Sequence, residues 1–168
     1  MAQVGPQEIG ELLDRHAEAL VLYASQWTDV PEDCVQETFV ELARQPARPE
    51  SIVAWLYRVV RNRALNAARA ARRRTHHEQL AASGGERSPS AVYDLEDKET
   101  LSAALAALTT EDREIVVLRV WSGLTWQQIA DLTDTSSSSA QRCYVAALTK
   151  LRKYLEPPCE ANFTYRPN

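Results

Sequence analysis

Three groups of side chains in this 168-residue chain have types and spacings that could do chemistry. Trp55, Arg58, Asn62, Asn66, Arg69 and Arg73 follow one another at steps of three or four, so they share one face of a helix. Arg61 belongs to the same basic stretch. Such a row suits single-stranded or partly opened DNA. A base stacked on an aromatic ring is worth about 1–3 kcal/mol, amides reach base edges, and Arg neutralises phosphate. The row also reads as a core Trp beside a solvated Arg face, and this helix alone does not separate the two. The second group is Ser136-Ser137-Ser138-Ser139 with Gln141 and Arg142 one turn on. Hydroxyls and unpaired N–H groups at a helix N-terminus favour phosphate, while Gln and Arg match adenine and guanine edges in the major groove. Lys150, Arg152 and Lys153 lie two to three turns further along and reach at most a phosphate. The four Ser also read as redundant capping. The third group, Glu32, Asp33, Gln36, Glu37 and Glu41, is acidic, and on composition alone it is a solvated helix face.

Other chemistry finds no residues. His76 and His77 are adjacent and cannot share a helix face, and no further ligand stands at metal spacing. The three Cys (Cys34, Cys143, Cys159) form no C-x-x-C pair, which argues against a disulfide framework or zinc ribbon and fits a reducing compartment. No glycine-rich phosphate loop, nucleophile elbow or carboxylate pair occurs. The expectation is a protein without catalytic residues, metal, cofactor or small-molecule substrate. No secretory signal or membrane span is expected either, and the chain reads as cytosolic. Its net charge of −4 hides blocks of −7 over residues 1–50, +7 over 51–77, −6 over 78–112 and +2 over 113–168. An acidic total counts against a protein that coats DNA unaided. It does not count against one that presents a small basic face while acidic faces bind something else.

The elements that must position these groups are all helical. Leu12, Leu13, His16, Leu20, Tyr23 and Trp27 mark a first amphipathic helix. Asp29-Val30-Pro31-Glu32 reads as a helix start, with Asp29 as cap. Val35, Thr38, Phe39 and Leu42 are the buried stripe of the helix that follows. Ser51 can cap a third helix over 52–74. The pattern fails over 81–98, read as a linker between a domain at 1–80 and another at 99–156, with a tail at 157–168. In the second half, Leu101, Ala104, Leu105 and Leu108, then Ile115, Leu118 and Trp121, mark helices, the latter stopped at Gly123. Thr125-x-x-Gln128 is a capping box. A tight turn at Thr133-Asp134-Thr135 precedes a long helix with Ala140, Tyr144, Ala147 and Leu151 on its seam. Short helix, tight turn, long helix is a helix-turn-helix pattern. The expected fold is all-α, two small helical domains joined by a flexible linker, the second a helix-turn-helix.

Asp33-Cys34-Val35-Gln36-Glu37-Thr38-Phe39, followed by Ala54-Trp55-Leu56-Tyr57-Arg58-Val59-Val60-Arg61-Asn62, resembles the bacterial RNA polymerase sigma factors of the extracytoplasmic-function (ECF, sigma-70-like) type. Leu108-Thr109-x-Glu111-x-Arg113-Glu114-Ile115 and Gly123-Leu124-Thr125-Trp126-x-x-Ile129-Ala130 continue the resemblance, in order, over residues 10–155. The resemblance implies that Asp33, Gln36 and Glu37 dock on core RNA polymerase. It implies that Trp55, Arg58, Arg61, Asn62, Asn66 and Arg69 meet the −10 element and assist its opening. Ser137, Ser138, Ser139, Gln141, Arg142 and Lys150 would serve the −35 element. It also implies an anti-sigma factor as partner and a linker threading the polymerase near the RNA exit path. The sequence departs from the family pattern in a short segment at 44–50, in the turn at 133–139, and in the tail carrying Phe163 and Tyr165. The alternative reading is a stand-alone helix-turn-helix regulator whose N-terminal helices bind a partner protein.

Overall fold

The computed structural model describes residues 3–79 and 96–155, with α1 (Pro6–Ala24), α2 (Pro31–Arg44), α3 (Ile52–Gln79), α4 (Glu96–Ala106), α5 (Thr110–Val117), a π-helical turn (Leu118–Ser122), α6 (Trp126–Thr133) and α7 (Ser137–Leu155). The all-helical expectation holds. The linker expectation falls mostly outside the described residues, as does the tail.

The first unit is α1, α2 and α3. Leu20, Tyr23 and Ala24 of α1, Val35, Phe39 and Leu42 of α2, and Leu56, Tyr57, Val60 and Ala64 of α3 are buried together. These are the apolar stripes that three- and four-residue spacing aligns on each helix. Thr38 also lies in this stripe, its hydroxyl satisfied by donating to the Cys34 carbonyl at 2.7 Å. The start of α2 differs from expectation in its cap. Val30, not Asp29, occupies the capping position, and no side chain closes it. Pro31 at the first turn has no N–H to satisfy, which removes one of the donors a cap would serve. Ser51 does cap α3, its Oγ accepting from Ala54 N at 3.4 Å. That helix runs past residue 74 to Gln79. Its last residues are polar, so apolar periodicity carried no signal there. The same reason places the start of α4 at Glu96, inside the expected linker, because the apolar pattern begins only at Leu101.

The second unit is built around α5 and α7. Ala104, Leu105 and Leu108 pack with Val116, Ala147 and Leu151. Arg113 fastens the corner between α4 and α5: its Nε donates to the Leu105 carbonyl at 2.7 Å and its Nη2 to the carbonyls of Ala106 and Leu108 at 3.1 and 3.2 Å. One guanidinium thus satisfies carbonyls that the end of α4 leaves without partners. Thr109 caps α5, accepting from Asp112 N. Trp121, expected on the buried stripe, is instead exposed on the π turn, whose wider pitch shifts it off the seam. The turn ends at Gly123 with φ of +69°. A Cβ there would meet nothing within 4 Å, so conformation and not space requires glycine. Gly123→Ala should therefore lower stability by about 1 kcal/mol, and Gly123→Asn by less, since Asn tolerates the left-handed region. Chemical denaturation checks this; an Ala variant as stable as wild type would contradict it.

The capping box forms as read: Gln128 N donates to Thr125 Oγ1 at 3.2 Å and Thr125 N to Gln128 Oε1 at 3.0 Å. Asp134 makes the tight turn at φ of 54°. The two units are joined by one continuous core, since Ile115, Leu118, Leu124 and Ile129 pack into the cluster formed by α1 to α3. Polar bonds cross the same seam, from Glu114 to Tyr23 and Arg61 and from Gln128 to Ser51.

Candidate nucleic-acid interface

On α3 the outward row is Arg58, Asn62, Asn66, Arg69 and Arg73, all exposed. Arg69 Nη1 donates to Asn66 Oδ1 at 3.2 Å, so an amide and a guanidinium one turn apart are held together on that face. Trp55 begins the row half-buried, one side packed on the core. Arg61 stands apart. It lies on the inner flank of α3 and is only 24% exposed; its Nε donates to Glu114 Oε1 at 2.7 Å, with the guanidinium 5.9 Å from the Trp27 ring centroid. Burial, the largest single influence, pulls the Arg61 pKa down, but the bond to Glu114 together with the charges of Glu114 and its neighbours outweighs it, and the net shift is upward.

The acidic face of α2 borders α3. Asp33, Gln36 and Glu37 are exposed, as the resemblance requires of a docking surface. They line an open groove with Val40, Glu41, Arg44 and Arg63. Arg63, reaching across from α3, brackets Glu37 and Glu41 at 2.5 Å each. Sequence reasoning missed Arg63. It lies one residue beyond Asn62 in the DNA row, and that step turns it toward α2. Asp33 and Gln36 have no bonding partner among the described residues. Burial pushes the Cys34 thiol pKa up, and the nearby Glu37 carboxylate adds to it, so Cys34 is a packing residue.

In the helix-turn-helix, the four Ser divide their work. Ser136 Oγ caps α7 by accepting from Ser139 N at 3.2 Å. Ser137 Oγ donates to Gln127 Oε1 at 3.1 Å, tying α7 to α6. Ser139 Oγ accepts from Arg142 Nη2 at 3.2 Å. Ser138, Gln141 and Arg142 are exposed. Lys150, further along α7 and exposed, is engaged from α5: its Nζ donates to Asp112 Oδ2 at 2.5 Å. Behind the helix pair, Trp126 stacks edge-on against Tyr144 with centroids 5.5 Å apart, and Arg119 lies 4.6 Å over the Trp126 ring. This apolar wedge fixes the angle between α6 and α7. Tyr144 is half-buried in it, as the seam predicted.

Among the described residues no group of His, Cys, Asp and Glu could hold a metal ion, and no helix is long and apolar enough to cross a membrane.

Comparison with known proteins bears on the whole arrangement. Residues 12–74 match sigma-70 region 2, and residues 98–151 match sigma-70 region 4. Two sigma-70 regions in this order on an all-helical chain define a sigma-70-type initiation factor. The chain is 33% identical over 130 residues to the ECF RNA polymerase sigma factor SigL of Mycobacterium tuberculosis, covering 71% of this chain and 72% of that protein. The chain belongs to the ECF family of RNA polymerase sigma factors. Members of that family are initiation factors for promoter-specific transcription, not enzymes. Solved structures share the fold. The sigma factor RpoE of Bartonella quintana, in complex with the anti-sigma factor NepR, aligns with a TM-score of 0.67 at 22% identity, over 89% of this chain and 97% of that one. CnrH, in complex with the cytosolic domain of CnrY, aligns with a TM-score of 0.57 at 24% identity, over 90% and 89%.

Proposed function

We propose that this chain recruits core RNA polymerase through the acidic face of α2, holds the opened −10 strand on the outer face of α3, and reads the −35 element with the N-terminal turns of α7. The observation that carries the reading is the adjacency of two exposed faces on one rigid unit. Asp33, Gln36 and Glu37 lie on α2, and Arg58, Asn62, Asn66 and Arg69 on the α3 packed against it. An acidic surface repels DNA and attracts a basic protein surface, while the amide–Arg row does the reverse. The unit can therefore bind polymerase and DNA at once, on different sides. The residues at 1–80 form the polymerase and −10 unit in this reading, and those at 99–156 the −35 unit. An anti-sigma factor is a further proposed partner, supported by the solved relative held in complex with the anti-sigma factor NepR. Run-off transcription with purified core polymerase on genomic fragments tests the reading. Transcripts from defined starts support it. Operator binding without polymerase, and no transcripts, would favour the stand-alone regulator.

The melting role has its own test. Trp55 is half-buried, so part of its ring serves the core and only the remainder can stack on a base. Trp55→Ala should slow open-complex formation on duplex promoters about fivefold, near the lower end of the 1–3 kcal/mol for a base–aromatic stack. On templates with a pre-opened −10 bubble the defect should shrink. Equal defects on both templates, in a variant whose melting temperature shows it folded, would remove Trp55 from melting.

A further inference from the structure

The outward face of α7 changes its chemistry within two turns. Ser138, Gln141 and Arg142 carry hydrogen-bond donors and acceptors, whereas the exposed side chains that follow, Val145, Ala146 and Leu148, carry none. Val145 is 62% exposed and Leu148 40%, so most of the Val145 isopropyl group stays in water. Thr149 does not restore polarity, because its hydroxyl donates to the Val145 carbonyl at 3.0 Å. The next charge along the helix, Lys150, is held by Asp112. Gln141, Val145 and Leu148 step by four and three, and Arg142 stands three before Val145, so all share one flank of the helix.

A helix that lays Arg142 in the major groove therefore lays Val145 there too, about 4.5 Å further along its axis. At ~3.4 Å per base pair that is one or two pairs from the base that Arg142 meets. Of the four bases, only thymine presents an apolar group in that groove, its C5-methyl; the others offer donors or acceptors. A Val side chain set against an amino group or a carbonyl removes water from it and returns no hydrogen bond, which costs affinity. Set against a methyl, it takes apolar surface out of water on both partners.

We propose that Val145 is a specificity residue that selects thymine in the −35 element by its methyl group, one or two base pairs from the base met by Arg142. The inference rests on the reading of α7 as the −35 contact. Two adjacent turns then read the element in two ways, the first by hydrogen bonds and the second by apolar contact. Because Val145 senses the methyl and not the pairing edge, the position tells thymine from deoxyuridine. For the same reason it tells 5-methylcytosine from cytosine, since both methyls occupy the same place in the groove.

The test is equilibrium binding of the full chain, assembled with core polymerase, to duplexes of a promoter mapped by run-off transcription. Each −35 thymine is replaced in turn by deoxyuridine, on either strand. At one position the loss of the methyl should weaken wild-type binding about fourfold, the worth of one buried carbon group. Cytosine there should bind worse than thymine, and 5-methylcytosine should regain about fourfold over cytosine. In Val145→Ala both methyl effects should fall below about twofold, the coupling that a double-mutant cycle reads as contact. That variant should fold at least as well as wild type, since the site is exposed and Ala is the better helix former. A flat deoxyuridine scan, in a holoenzyme still sensitive to −35 base changes, overturns the inference and leaves the −35 reading intact. A methyl effect undiminished in Val145→Ala overturns it as well, as does a Val145→Ala defect in core binding with promoter selection unchanged. If no −35 base change matters, the inference and the −35 reading fall together.

Discussion

Asp33→Lys should weaken binding to core RNA polymerase about a hundredfold, because a like-charge contact at an interface costs several kcal/mol and ~2.7 kcal/mol is a factor of a hundred. Stability should stay within about 0.5 kcal/mol of wild type, since Asp33 is exposed and has no bonding partner among the described residues. Glu37→Lys is the less clean variant. Glu37 is half of the bracket on Arg63, and a Lys there faces the same guanidinium that the Glu held at 2.5 Å. It should weaken core binding too, but at an added stability cost of about 1 kcal/mol, kept small by the 65% exposure of Glu37. Fluorescence anisotropy with labelled protein and a thermal melt separate the two effects. A folded Asp33→Lys that binds core like wild type would show that the face is only solvated.

What was legible in the sequence follows from what has a local signature. The buried stripes on α2 and α7, the Thr125–Gln128 box and the turn at Asp134 each depend on residues within a few positions of one another, and each forms as read. The resemblance to the ECF sigma factors, carried by four motifs in series, agrees with the matches to sigma-70 regions 2 and 4. Helix ends made of polar residues were not legible, as at Gln79 and Glu96. Nor was the cap of α2, where Pro31 makes a side-chain cap dispensable.

The seam between the units left the least trace. Arg61 and Glu114 are 53 positions apart, and a pair at that separation has no periodicity to reveal it. One signal was present. Glu114 stands one turn before Leu118, on the stripe that Ile115 and Leu118 mark as buried, and a carboxylate on such a stripe needs a partner. Arg61 likewise follows Val60 on the inner side of α3, three residues after Arg58 but swung to the opposite side of it from Asn62. Basic composition grouped it with the DNA row, whereas helical phase separates it.

The helix-turn-helix carries the second large effect, a loss of promoter discrimination. Arg142 is exposed one turn inside α7, and its Nη2 is steadied by Ser139 Oγ. With Ser136 spent on the cap and Ser137 on Gln127, the groups left to face a duplex from this turn are Ser138, Gln141 and Arg142. Of these, Arg alone can give guanine two parallel hydrogen bonds, the commonest specific contact in the major groove. Arg142→Ala should therefore cost about 1–3 kcal/mol on the preferred promoter and much less on promoters altered at one −35 position. Lys150 supplies the contrast. It lies eight residues on, about 12 Å along the axis, too far for the same base edge. Its Nζ is held by Asp112, and the 56% exposure of the Lys keeps that pair's worth near 1 kcal/mol at most. Lys150→Ala should lower stability slightly and leave the salt dependence of promoter binding unchanged. A salt slope smaller by about 0.9 would mean that Lys150 leaves Asp112 for one phosphate. The measurement is a −35 substitution series taken with both variants over a range of salt. If Arg142→Ala weakens every promoter by one common factor, Arg142 touches only the backbone. Base reading then passes to Gln141, which would select adenine.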